Sequence, residues 1–276
     1  MTTLEVWKTF EPDNYYKTFL DSNKRPDGRR LLKFRPVVVK VGTVSTAEGS
    51  ATVRFGHTTV VCGVKAEIAT PTLNNPHQGF VVPNVELHPC CSPNFTSGLP
   101  GVQAMELSQF IQSVLTSAGV LDLADLCVVP SKYSWCLYCD VVCINYDGNV
   151  YDAALVAVMA ALQDVKLPKL TYDEENDKAT VALERTLPLN IKSRPISSTF
   201  TLYSDTVQLA DPTAEDESQG SGVTTVVVRE DGSLCYLHKP GGRAVPTTTL
   251  DSLVLLAAKR VKKINEVIAK AGQEVD

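Results

Sequence analysis

The spacing of apolar residues in the first part of the chain predicts a helix followed by strands. Aromatic and aliphatic residues recur at helical spacing from Tyr15 to Leu20, and Pro12 stands at a favourable first-turn position. Residues 37–68 are rich in β-branched residues and are interrupted by glycines, which predicts three strands. The interrupting glycines are Gly42, Gly49 and Gly56.

The middle of the chain changes from a loop pattern to alternating helices and strands. Residues 70–100 are rich in Pro and Asn and are expected to form a loop region. The apolar residues of 102–118 recur at helical spacing, which predicts a helix. We expect strands over 125–145 and a second helix over 152–164.

The second half begins after a polar connector and ends in a long helix. Strands are expected at 180–190, 198–210 and 223–239, followed by a turn at Lys239-Pro-Gly-Gly. One apolar stripe then predicts a helix that starts near Thr248 and ends at Gly272. The spacing of Thr248 and Asp251 resembles a capping box.

These elements predict a mixed α/β fold built of layers around a shared core. The predicted organisation has a lead-in over 1–24, a first half over 25–166, a connector over 167–180 and a second half over 181–276. A length of 276 residues suits one large domain or two halves that share a core.

Composition agrees with an ordinary globular protein, with 44% hydrophobic and 21% charged residues. No apolar run approaches the roughly 20 residues that span a bilayer. The first residues lack the basic start and apolar stretch of a signal peptide. We therefore expect a cytosolic or nuclear protein with reduced cysteines.

Charge is distributed unevenly along a chain whose net charge is −5. An acidic stretch at 205–217 carries no basic residue, whereas residues 17–40 have a local excess of cations. Both segments could be solvated faces, or the basic one could contact RNA phosphates or an acidic neighbouring subunit. The cations of 17–40 are Lys17, Lys24, Arg25, Arg29, Arg30, Lys33, Arg35 and Lys40.

Cysteine and histidine pairs raise the question of a metal site. Cys136 and Cys139 form a C-x-x-C, but a strand would point them to opposite faces, and no second C-x-x-C follows. His88 with Cys90 and Cys91, and Cys235 with His238, lack paired ligand spacing elsewhere in the chain. We expect all of these residues to be structural, with no metal and no cofactor.

Four segments carry a resemblance to the ribonuclease PH family, in order and over roughly residues 20–265. The segments are RPDGR (25–29), GSATVRFGHTTVVCGVKAEI (49–68), DGNVYDAALVAVMAAL (147–162) and LADPTAEDESQGSGVTTVVVREDGSL (209–234). The chain is most similar to the non-catalytic branch that supplies ring subunits of the eukaryotic RNA exosome. The resemblance implies a fold of two βαβ-type halves and a six-membered ring of such subunits. It further implies RNA-binding cap proteins on one face and RNA in the central pore.

Active members of this family cleave RNA from its 3′ end with phosphate as the nucleophile. Their phosphate loop reads Asp-Gly-Gly-Thr-Arg-Thr-Ala-Ala, and the matching segment here starts at Asp147. Tyr151 stands at the place of the arginine and Asp152 at the place of a threonine. The loss of a guanidinium removes charge-assisted hydrogen bonds of about 1.5–3 kcal/mol each. We expect Asp152 to cap the free N–H groups of the following helix instead.

The other functional positions of the family are also altered. Active members carry two aspartates six residues apart, and here Asp211 matches the first, while Glu217 takes the second position beside Asp216. We expect an acidic surface turn there rather than a metal site or a general acid. Gln109 and Ser113 occupy the places of two RNA-gripping arginines, and neither can release counterions from phosphates.

The prediction is therefore a non-catalytic ring subunit with no catalytic residues, which supports 3′-to-5′ RNA processing and decay as scaffold. The alternative is an active phosphate-dependent 3′-exoribonuclease of the same fold. The resemblance implies a location in the nucleus, nucleolus and cytoplasm and a role in ribosomal RNA maturation.

Overall fold

The computed structural model describes residues 7–8, 10–173, 178–204 and 207–273. Helix α1 (Pro12–Asp21) precedes strands β1 (Val37–Val41), β2 (Gly49–Phe55), β3 (Thr58–Ala69) and β4 (Phe80–Leu87). Helix α2 (Val102–Ala118), strands β5 (Cys127–Val129) and β6 (Tyr133–Asn145), and helix α3 (Val150–Asp164) complete the first half.

A hairpin of β7 (Lys166–Asp173) and β8 (Lys178–Pro188) leads into the second half. There, β9 (Ile196–Leu202), β10 (Gln208–Ala210), β11 (Gly222–Val228) and β12 (Leu234–His238) are joined by the short helix α4 (Ala214–Gln219). The long helix α5 (Thr247–Gln273) follows them.

Each of the three long helices packs against strands of two sheets. The first sheet has the order β1-β2-β3-β6-β4, with β5 paired to β6, and only its β4–β6 pair is parallel. The second sheet has the antiparallel order β10-β9-β11-β12. Helix α2 packs on β4 and β12, α3 on β2, β3 and β9, and α5 on β1, β9 and β11. The mixed α/β fold predicted from the sequence is confirmed.

Helix α3 lies at the centre of this core. The run from Ala153 to Leu162 consists only of apolar residues and is completely buried. A helix that is apolar all round has to be covered all round, which explains its position between the two sheets. In the part of the chain that the structure describes, no helix has the length and apolarity needed to cross a membrane.

Several element boundaries differ from the sequence prediction. Strand β4 lies inside the segment predicted as loop. The strand forms by pairing with β6, which is distant in the sequence, so the local pattern did not reveal it. Most of the predicted connector at 167–180 belongs to the β7–β8 hairpin. Helix α3 begins at Val150 rather than at 152. The boundaries of the predicted halves stay predictions.

The predicted capping box at Thr248 is wrong. Helix α5 already begins at Thr247, and the Leu250 N–H donates to the Pro246 carbonyl at 3.0 Å, so Thr248 lies within the first turn. A capping box is present at α4 instead. There, the Thr213 hydroxyl accepts from the Asp216 N–H, and the Asp216 carboxylate accepts from the Thr213 N–H.

Candidate functional site

The turn between β6 and α3 is held against the segment that contains Asp211. Gly148 has a φ of +70°, and a side chain there would place its Cβ 2.4 Å from the Thr213 carbonyl carbon. Asn149 also adopts a left-handed conformation, with a φ of 52°. Glycine is needed at 148 because the two segments approach so closely. This approach brings together the family's phosphate-loop and acidic positions.

Asp152 is completely buried at the start of α3 and does not cap it, so the predicted capping role is wrong. Its carboxylate accepts hydrogen bonds from Asn149 Nδ2 at 2.9 Å and from the Thr199 hydroxyl at 2.8 Å. It also accepts from the Thr199 N–H and pairs with the guanidinium of Arg260. Asp152 therefore ties α3 to β9 and α5.

Asp211 is completely buried as well, which corrects the prediction of an acidic surface turn. Arg35 grips it through two contacts of 2.9 Å, Nη2 to Oδ1 and Nε to Oδ2. The Arg35 N–H and Asn149 Nδ2 donate to the same carboxylate. Burial acts to raise the pKa of Asp211, but the hydrogen bonds and charge of Arg35 outweigh it and lower this pKa to about 2.

Glu217 occupies the anion-binding position at the start of α3. Its carboxylate accepts from the backbone N–H of Asn149 at 2.7 Å and from the Tyr146 hydroxyl at 2.8 Å. Burial raises the pKa of Glu217, and these two hydrogen bonds only partly offset the effect. Neighbouring Asp216 is buried in the capping box and lies 3.6 Å from Arg25. The protein's own carboxylate thus takes the helix N–H that could receive a phosphate.

Tyr151, at the place of the family's arginine, lies in an aromatic cluster. Its ring meets Phe110 edge to face at 5.2 Å and lies 5.5 Å from His238. Burial, reinforced by the charges of Glu106 and Glu217, raises the pKa of Tyr151 to about 12. The phenol is neutral at physiological pH and supplies no cation. His238 belongs to this cluster, and burial lowers its pKa.

Helix α2 carries neutral side chains at the two positions that would grip RNA, and the exposed Glu106 lies one turn before the first of them. Gln109 is exposed, and the Ser113 hydroxyl donates to the Gln109 carbonyl at 2.8 Å. A cleft of about 310 Å³ between α2 and β4 is lined by neutral side chains throughout its described wall. The polar groups of this wall are Asn84, Ser108, Gln109 and Gln112.

The cysteines form no metal site in the described ranges, which contain no group of three or more His, Cys, Asp or Glu residues suited to hold an ion. All eight are free thiols. Cys136 and Cys139 are both buried on β6, and burial raises the pKa of each. The exposed His88 contacts Glu86, and Cys91 donates to the His88 carbonyl.

Two functional cations were misjudged or missed by sequence reasoning. Arg35 was counted in a basic surface patch, but it is 8% exposed and holds Asp211. Arg260 was not identified at all. A signal existed, because Arg260 continues the buried stripe of Leu253, Ala257 and Ile264 at helical spacing, and a cation on a buried face needs a partner.

Both halves of the chain match a known protein family and known proteins. The model of the 3′ exoribonuclease family, domain 1, matches residues 33–168, and domain 2 of the same family matches residues 193–260. Exosome complex component rrp43 of Schizosaccharomyces pombe is 35% identical over 258 residues, which covers 94% of this chain and 95% of that protein. Exosome complex component Rrp42 of Pyrococcus furiosus is 33% identical over 263 residues, with coverage of 95% and 94%.

The fold is also similar to chains of solved exosome structures. A chain from the Archaeoglobus fulgidus exosome with RNA bound to the active site superposes with a TM-score of 0.83 at 28% identity. The superposition covers 95% of this chain and 98% of that one. A chain from an archaeal exosome core gives 0.78 at 26% identity, with coverage of 96% and 97%.

The sequence signatures resemble in particular ribosomal RNA-processing protein 43, also called opa-interacting protein 2, and the similarity to the fission-yeast component confirms that resemblance. Both halves of the fold match, in order, with little of either chain left over. The chain belongs to the 3′ exoribonuclease family of ribonuclease PH type and is similar to an Rrp43-type component of the exosome.

Proposed function

We propose that this chain is a non-catalytic structural subunit of an exosome core ring, which supports 3′-to-5′ RNA processing and decay by scaffolding the RNA channel. The observation that carries the proposal is the contact of Glu217 with the backbone N–H of Asn149 at 2.7 Å. This contact fills the anion position of the family's phosphate loop with a side chain of the protein.

Electrostatics support the absence of phosphate chemistry. A phosphate about 4 Å from Glu217 or Asp152 would be repelled by on the order of 4 kcal/mol in a partly buried setting. The guanidinium groups near these carboxylates are already engaged: Arg35 and Arg29 pair with Asp211, Arg260 with Asp152, and Arg25 lies 3.6 Å from Asp216. Among the described residues, the site therefore has no unpaired guanidinium to offset the repulsion.

Apolar surface supports assembly with other subunits. Val102 and Met105 on α2 are 68% and 55% exposed, and Val82 on the neighbouring β4 is 40% exposed. Exposed apolar side chains grouped on one surface are typical of a protein interface. The partners in the proposal are other ribonuclease PH-like ring subunits, RNA-binding cap subunits, and RNA in the central channel. The proposed locations are the nucleus, nucleolus and cytoplasm.

Assembly is tested by co-expression with other ribonuclease PH-like exosome subunits, followed by light scattering. The proposal expects a stoichiometric hetero-oligomer and a tendency of the lone chain to self-associate. A stable monomer that binds none of these subunits would contradict it.

Catalysis is tested with RNA and inorganic phosphate, using the chain alone and in complex with a ring partner whose own site has been inactivated. The expected result is no release of nucleoside diphosphates. Release that persists in the complex and is lost in both Asp211→Asn and Glu217→Gln would establish the alternative, an active phosphate-dependent exoribonuclease. A folded-state check by circular dichroism accompanies each variant.

A further inference from the structure

A groove runs between α5 and the segment 32–37, and Arg35 and Arg260 from the ion pairs described above form part of its wall. Its volume is about 500 Å³. The side chains of Leu32, Phe34, Val37, Leu256 and Val267 make its apolar lining. The exposed lysines Lys33, Lys259 and Lys263 line it as well.

A neighbouring hollow of about 610 Å³ extends this basic surface. Leu32 lines both spaces, and the hollow adds the exposed cations Lys24 and Arg30. Of the cations that line the two spaces, the five exposed ones have no ion-pair or side-chain hydrogen-bond partner in the described part of the chain, whereas the buried Arg35 and Arg260 are paired. Arg25, Arg29 and Arg35 from the same basic segment are instead paired internally. The fold thus divides the cations of the basic segment into largely buried ones with carboxylate partners and exposed ones whose charge has no partner among the described residues.

Arg260 adds a second, independent observation at the base of the groove. It lines the groove, is 6% exposed, and its guanidinium carbon lies 4.0 Å from the centre of the Phe34 ring. Its Nη1 pairs with Asp152, but its Nη2 is buried and has no hydrogen-bond partner among the described residues. A buried donor without an acceptor is costly, and part of the Arg260 charge is left uncompensated beneath the groove.

The lining favours a protein segment over RNA. Single-stranded RNA sites combine cations with open aromatic faces on which bases stack. The groove has one aromatic side chain, Phe34, whose ring is covered by Arg260, and the rest of its apolar lining is aliphatic. Aliphatic side chains between lysines suit a segment that carries both aliphatic and acidic residues.

We propose that this groove docks an amphipathic acidic segment of a partner protein, with aliphatic side chains between α5 and residues 32–37 and carboxylates on the lysines. The α5 residues of the groove, from Leu256 to Val267, extend over about 16 Å at 1.5 Å per residue, which matches about three helical turns. The docking function does not rest on the proposed role in a ring.

The test measures binding of the full chain to a labelled synthetic peptide of about 15 residues, long enough for a marginal helix, with leucines on one face and glutamates on the other. Fluorescence anisotropy gives the affinity. A peptide of the same composition in shuffled order and an oligoadenylate of similar charge are measured in parallel. Two variants change the groove: the double charge reversal Lys259→Glu/Lys263→Glu, and Leu32→Ser. Lys262→Glu is the control, because Lys262 lies on the same helix but outside the groove lining.

We expect the double reversal to weaken peptide binding at least about tenfold and the Lys262→Glu control to change it less than about twofold. Leu32→Ser and the shuffled peptide should each weaken binding by about threefold or more. Equal binding of both peptides, an unchanged affinity in the double reversal, or no binding would overturn the proposal. Tighter binding of oligoadenylate, lost in the double reversal, would assign the groove to RNA instead.

Discussion

Arg35 and Asp211, 176 positions apart in the chain, form a two-point ion pair that joins the two halves of the molecule. Arg35 precedes β1 of the first sheet, whereas Asp211 follows β10 of the second. Both side chains are buried, and Asp211 adopts a left-handed φ of 53°. The family's first acidic position has become part of the contact between the halves.

Removal of Arg35 should strongly destabilise the protein. Arg35→Ala leaves Asp211 buried without its main partner, and breaking a buried pair in this way costs about 3–5 kcal/mol. Arg30→Ala removes an exposed arginine without a described partner and should change stability by less than about 0.5 kcal/mol. Urea unfolding measures both. A loss below about 1 kcal/mol in Arg35→Ala would show that the pair contributes little.

Asp211 should make the protein sensitive to acid. Its pKa in the folded state is lowered from 3.8 to about 2, so its stabilising effect is full above pH 3.8 and is lost as the pH falls toward 2. The expected loss is about 2 kcal/mol. Glu217 acts in the opposite sense, because its pKa is raised by burial.

Urea midpoints measured between about pH 5 and pH 2 test this linkage. Asp211→Asn should flatten the decline, whereas replacement of the exposed Asp251 by Asn should follow the unmodified protein. An Asp211→Asn curve parallel to the unmodified one would refute the assignment.

Restoring the arginine at position 151 should not restore activity. Tyr151→Arg places a cation among Phe110 and His238 and should destabilise the protein by about 1–3 kcal/mol. Tyr151→Phe keeps the ring and should cost less than about 1 kcal/mol, since the described residues offer the Tyr151 hydroxyl no hydrogen bond. Thermal unfolding and a phosphorolysis assay are the measurements. Turnover in Tyr151→Arg would show that Glu217 and Asp152 do not block phosphate.

Arginines at positions 109 and 113 of α2 should add RNA affinity without adding turnover. Gln109→Arg with Ser113→Arg restores the two cations that the family places there, and each phosphate contact should steepen the salt dependence by about 0.7. Thr116→Arg adds a single arginine further along the same helix and should have a smaller effect. Binding of a single-stranded RNA is measured at several salt concentrations. Equal slopes for all variants would place the RNA path away from this face.

Cys90 should be the fast-reacting thiol of the native protein. It is exposed, whereas Cys62, Cys139 and Cys143 are buried, and burial raises the pKa of each of these three. A disulfide reagent should modify Cys90 first and reach all eight cysteines only after unfolding. Cys90→Ser should remove the fast phase. Fast modification that persists in this variant would assign the reaction to another thiol, with the half-buried Cys127 and Cys235 as the first candidates.

Much of the secondary structure could be predicted from local sequence patterns, because helices and strands of this kind depend on residues close together in the chain. The uniformly apolar run of α3 and the stripe of α5 are visible in the sequence, as are the three glycine-punctuated strands. Strand β4 was missed because its Pro- and Asn-containing sequence forms a strand only through pairing with β6.

The family, the fold class and the residues that stand where the resemblance places the family's functional groups could all be identified from the sequence. The burial of particular charges became visible only in the folded chain. Arg25 and Arg35 look like members of a basic surface patch, and Asp211 and Asp216 like an acidic surface turn, until folding pairs them with each other. The reason is physical: an ion pair needs proximity in space, and here its partners lie on opposite halves of the chain, where no periodicity connects them.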